Sequence, residues 1–245
     1  MTTLLERPSK TAKVPAGSTY RLTAILVGVF FIVGTAAGVG SVMASDSILS
    51  SANPVAEAAA SPNSMIVGGL LVLVMGLPLA MIPILLYPLF KRHSEILAMG
   101  AVLFRGVLEA VTYVALALTM FVTATIGRDL VAAETEAWSA ALVGAMDWME
   151  VILAIVFSIG AVMLGWLFYK TEIIPRWLAL WGLIGGVLYL VAPFLVMFDI
   201  QNLELSLTTG IGLLLAPLAI QEMVFAVWVL VKGFRRVGIE RLVKT

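Results

Sequence analysis

Five ionisable residues stand inside long apolar stretches of this chain: Arg105, Glu109, Asp147, Glu150 and Glu222. Arg105 and Glu109 are four residues apart and share a face if the segment is helical. Tyr113 continues that face by one turn, where its hydroxyl can donate a hydrogen bond. Asp147 and Glu150 are three apart and share a face of their own. Four carboxyl groups against one guanidinium leave three charges unmatched. A central charge costs roughly 2.5–3.5 kcal/mol on membrane-insertion scales, so these side chains should face one another and not lipid. Such acids can hold protons, bind a cation, or receive a ligand that brings positive charge. The competing reading is architectural. Arg105–Glu109 would be an internal ion pair, and the other acids protonated hydrogen-bonding links between helices.

Other chemistries are poorly provided for. The chain has no cysteine and one histidine, His93, which follows Lys91-Arg92 and reads as part of a solvated basic turn. That removes thiolate metal sites and most zinc, haem and Ser-His chemistry. No HExxH motif or glycine-rich phosphate loop is present. No metal site, cofactor or catalytic residue is therefore expected. An acid/base enzyme working with two intramembrane carboxylates is the weakest of the functional readings.

The elements that must position these residues follow from composition. The chain has 245 residues, 61% hydrophobic and 12% charged, against about 45–50% and about 25% in soluble domains. This excludes an ordinary soluble enzyme, a disordered chain and a basic nucleic-acid binder. A spanning helix needs roughly 20 mostly apolar residues. Six stretches qualify: Leu22–Ala44, Met65–Phe90, Ile96–Ile126, Ala140–Tyr169, Trp177–Phe198 and Thr208–Val231. The expected fold is all-α, a polytopic bundle of six transmembrane helices over residues 21–234. Long unbroken apolar runs exclude a β-barrel. Residues 1–20, polar and carrying Pro8, Pro15 and Gly17, are predicted to be a disordered tail, and residues 235–245 a short basic one. The first apolar run exceeds the 7–15 residues of a signal peptide.

Charge placement gives orientation. Thirteen of the 15 Lys and Arg residues fall in the amino-terminal tail, the turns after spans two and four, and the carboxyl tail; one, Arg128, falls in the opposite loops. By the positive-inside rule both termini are expected in the cytoplasm, of a bacterial inner membrane. Trp166, Tyr169, Trp177 and Trp181 form an interfacial belt on that side, and Trp138 sits near the other. The formal net charge of zero divides into a basic side, an acidic side and three excess negative charges in the spans.

The 1.5 Å helical rise puts Glu109 and Glu222 each roughly 20 Å from an end of its span, and Asp147 and Glu150 about 10–15 Å from the outer end. All four acids are expected to meet in the central-to-outer part of the bundle. Span two carries Gly76, Pro78, Pro83 and Pro88. It is predicted to be kinked or partly unwound, which would expose backbone to a cavity. Pro193 and Pro217 add two possible bends. Gly34/Gly38 and Gly182/Gly186 allow close helix approach, either within the chain or in a homodimer. A short echo between Glu109-Ala-Val-Thr-Tyr-Val and Glu222-Met-Val-Phe-Ala-Val is compatible with an inverted repeat or with chance.

Three segments in order carry a resemblance. They are Phe104-Arg105 with Glu109-Ala110, then Gly165-Trp166-Leu167-Phe168-Tyr169-Lys170 through Ile174-Pro175-Arg176 to Leu178, then Pro217, Gln221-Glu222, Trp228 and Lys232-Gly233-Phe234. Over roughly residues 20–234 the chain resembles the bacterial membrane-protein family known as domain of unknown function 4386. In that family the basic–acidic pair is usually three apart, whereas Arg105 and Glu109 are four apart. The resemblance implies a six-helix integral membrane protein and no particular activity. The functional expectation is a small-molecule or cation/proton-linked binding or transport protein. The alternative is a non-catalytic scaffold or sensor that meets lipid or a partner membrane protein, using its glycine faces and its basic tail.

Overall fold

A computed structural model describes residues 18–198, 205 and 211–244. The described part is all-α. Helix α1 (Ser18–Leu49) and α3 (Pro62–Phe90) are long apolar helices joined through the short α2 (Pro54–Ala60). The third span is composite: α4 (Glu95–Val102), a π-helical segment (Leu103–Leu108) and α5 (Glu109–Ile126). Helix α6 (Ala132–Thr171), α7 (Arg176–Val196) and α8 (Gly212–Val231) follow, and α9 (Arg236–Lys244) ends the described chain. Six segments are long and apolar enough to cross a membrane: 20–49, 62–90, 95–129, 132–171, 176–196 and 212–231. They coincide with the six predicted spans, and the chain is a multi-pass membrane protein. The predicted tail over residues 1–20 and the predicted start of span six at Thr208 fall mainly outside the described residues.

Three local differences from expectation have physical causes. The first loop is partly helical. Asn53 caps α2 by accepting from the Ala56 N–H at 3.2 Å, and Pro54 occupies the first turn, where a missing N–H is harmless. The Ser139 hydroxyl donates to Asn53 at 2.7 Å, and the Asn53 amide donates to Thr135 at 2.9 Å, so this helix is stapled to α6. Span two is continuous helix across Pro78, Pro83 and Pro88 and is not unwound. The irregular turn lies in span three, where no proline marks it. The carboxyl tail is an amphipathic helix whose Leu242 joins the apolar cluster that contains Phe234, Ile173 and Ile174, with the Arg235 N–H donating to the Ile173 carbonyl at 2.8 Å.

Apolar packing forms two principal layers. One runs through Phe31, Phe225, Phe168 and Phe90, edge to face or tilted, with centroids 5.0–5.5 Å apart. It lies toward the end of the bundle where α1 begins and α8 ends; there Arg21 donates to the Val229 and Leu230 carbonyls at 3.3 and 2.6 Å. The other layer, around Met65, Val72, Met120 and Met146, fills the opposite end. The glycine pairs are used inside the chain. A Cβ at Gly34 would meet Leu79, at Gly38 Met75, at Gly182 Gln221 and at Gly186 Val162. These faces therefore offer no support for a homodimer.

A candidate charged site between spans three and six

Arg105 sits within the π-helical segment, between the two apolar layers. A π turn widens the helix by about one residue and is frequent at functional positions. Helix α6 crosses it at Gly160, where a Cβ would lie 2.7 Å from Arg105 Cβ and 2.8 Å from its backbone nitrogen. Only glycine permits that approach. Gly165 meets the Leu183 backbone and Gly185 the Leu218 backbone, drawing α6, α7 and α8 together. This close packing lets a side chain of α8 reach one of span three.

The Arg105 side chain makes three charge-assisted hydrogen bonds. Its Nη1 donates to both Glu109 oxygens at 3.3 and 3.2 Å, and its Nη2 donates to Glu222 Oε1 at 2.5 Å. The guanidinium carbon lies 3.9 Å from the centroid of the Phe157 ring and 5.9 Å from that of Phe31. Carboxylates thus hold the edge of the fork while rings cover its faces, an arrangement suited to arginine and not to lysine. Arg105 is 1% exposed and Glu109 is fully buried. One cation opposes two carboxyl groups in a low-dielectric interior, so the cluster carries one negative charge in excess unless a proton or another cation joins it.

One cavity is lined by members of this triad, and a second lies beyond Phe157 and Tyr113. The smaller, about 40 Å³, is bounded by Arg105, Glu222, Phe31, Phe168 and Gln221, and has room for a few water molecules at most. Gln221 holds one wall by donating to the Leu178 carbonyl at 3.1 Å. The larger, about 260 Å³, lies on the side away from the described chain ends and is lined by Tyr113, Glu150, Phe157 and Tyr189 among others. Gly76 makes room for the Tyr113 ring, since a Cβ there would fall 2.7 Å from it.

The expected constellation is therefore assembled in part. Arg105, Glu109 and Glu222 form one cluster, and Tyr113 stands beside it as a wall of the larger cavity. Glu150 lines that cavity without joining the ion pairs described for Arg105. Asp147, partly buried one turn away, lines neither of these two cavities among the described residues. Phe157, Tyr189, Gln221 and Gly160 were missed as site residues. An aromatic, an amide or a glycine inside a span carries no charge signal, and only the adjacency of Gln221 to Glu222 was visible. Among the described residues no group of three or more Asp, Glu or His side chains is arranged to hold a metal ion.

Six apolar spans around a buried arginine–dicarboxylate cluster define a polytopic membrane protein with a polar interior. Residues 26–233 match the family described as domain of unknown function (DUF4386), and the chain belongs to that family. No curated protein and no solved structure shows significant similarity to it.

Proposed function

We propose that this protein binds and moves a small solute in a proton-linked cycle, with Arg105, Glu109 and Glu222 as the proton-sensitive link between spans three and six. The observation that carries this reading is the Arg105 bridge to Glu109 within span three and to Glu222 on span six, with a small cavity against Arg105 and Glu222 and a larger one behind the Phe157 ring that covers the guanidinium. Adding a proton removes the excess negative charge and weakens the hold of Arg105 on Glu222. Span six is then free to shift against span three. The titratable groups near the triad are Tyr113 from span three and Tyr189 from span five, and Glu150 from span four shares the larger cavity with both; the stretches of α1 and α3 packed there carry none. The larger cavity combines one carboxylate with three aromatic rings, which favours a cationic solute. The basic residues collected at the face holding Arg21 and Lys232 support a cytoplasmic position for that face, in a bacterial inner membrane.

The test uses the full chain in proteoliposomes loaded with a pH-sensitive dye, with tetramethylammonium and choline as permanently charged probes. The expected result is probe-dependent proton movement that Glu222→Gln abolishes. Unaltered movement and pH dependence in Glu222→Gln would remove Glu222 from the mechanism. No movement above empty liposomes would overturn the transport reading.

A further inference from the structure

Three features near the last turn of α8 belong together. The first is a groove of about 460 Å³ on its outward face, lined by Met223, Val224, Val227, Trp228 and Val231 and ending at Lys232. The second is the Trp228 indole N–H, which is buried and has no hydrogen-bond partner among the described residues. The ring is fixed edge-on against Trp177 at 6.3 Å. The third is a pocket of about 210 Å³ where α1, α8 and α9 meet, lined by Tyr20, Arg21, Lys232, Gly233 and Arg236. Lys232 borders both the groove and the pocket, and no acid from the described residues lines either.

We infer that groove and pocket together hold one anionic glycerophospholipid. The chemistry changes along the helix in the order a lipid requires. Three cations surround the pocket at the helix end, where a phosphate diester would lie. The Trp228 ring stands as a groove wall one turn, about 6 Å, deeper, at the level of the glycerol backbone. The apolar face from Val231 back to Met223 runs a further turn or two inward and takes an acyl chain. A free phosphate or sugar phosphate would use the pocket and leave the groove empty. Basic residues at this depth attract anionic headgroups over zwitterionic ones. This site is separate from the Arg105 cluster and does not depend on the transport reading.

Native mass spectrometry of the full chain, released from bilayers of equal phosphatidylglycerol and phosphatidylcholine, tests this. The expected result is one retained lipid, predominantly phosphatidylglycerol. Lys232→Gln and Arg236→Gln, both at exposed positions, should each reduce that preference about fivefold. Trp228→Ala, which removes a wall of the groove, should reduce retention of either lipid while leaving the preference in place. An unchanged ratio in the Lys232→Gln/Arg236→Gln double variant, with an unchanged melting temperature, would overturn the inference. So would displacement of the retained species by glycerol 3-phosphate alone, or a second copy of the chain in place of lipid.

Discussion

Replacing Arg105 with methionine leaves two carboxyl groups facing each other in an apolar interior. Breaking a buried ion pair from one side typically costs about 3–5 kcal/mol, whereas replacing all its members with neutral groups of similar size costs far less. Arg105→Met is therefore expected to melt much earlier than the parent in detergent. The triple variant Arg105→Met/Glu109→Gln/Glu222→Gln should recover most of the loss. Equal melting of the single and triple variants would mean that the cluster contributes through packing and not through charge. At this scale the sequence was informative because charge in an apolar run is conspicuous. Arg105 and Glu109 were readable as a pair on one face, and Glu222 only as one of three further acids expected to meet them. Their aromatic cover was not, because Phe157 and Phe31 look like any other lipid-soluble residue until the helices are rotated into place.

The position of each helix face is set largely by residues without side chains. Gly160→Ala pushes a methyl group onto the Arg105 backbone, which cannot move aside as a flexible side chain can. It is expected to destabilise the bundle and to separate Arg105 from Glu222. Gly144→Ala on the same helix meets nothing within 4 Å. It should stabilise by up to about 1 kcal/mol, the difference in helix propensity. Thermal melts of the two variants side by side check both signs. The span boundaries were legible because hydrophobic length is a direct demand of the bilayer. The π-helical segment was not, since nothing in its composition breaks a helix. Arg105 lies within this segment and Glu109 opens the α-helix directly after it. The prolines of α3 were a misleading signal. Within a bundle, neighbouring helices support a proline-containing helix without unwinding it.

At the scale of the whole molecule, α9 clamps the turn between α6 and α7. Glu172 adopts a left-handed conformation (φ 55°) and pairs with Arg241 of α9 and with Arg176 at 2.8 Å. The hydrogen bond from Arg241 is the main influence holding the Glu172 carboxyl below its ordinary value of 4.5; the positive charges of Arg176, Arg241 and Arg235 add to it. A carboxyl lowered in the folded state stabilises at pH values above its ordinary value and loses that contribution as pH falls through the lowered one. A spin label at Val237 should thus keep the same mobility between pH 5 and 7 and become mobile only as the pH falls below 4.5. Glu172→Gln should produce that mobility at neutral pH. The tail's charge was readable from sequence. Its docking was not, because it depends on Gly238 approaching the Glu172 and Ile173 backbone at a distance that no Cβ would allow.

The Arg105 cluster also has an order in time. Arg105 and Glu109 leave the ribosome within one helical turn and can enter the bilayer already matched. Glu222 is made 117 residues after Arg105, on a helix whose own apolar residues must carry an acid whose partner cation is already engaged. Docking of α8 therefore replaces a pair by a shared arginine. A chain cut short before span six would leave that pair intact and the face of Arg105 toward α8 unfilled. The assembled triad is in this sense a mark that span six has been made and docked.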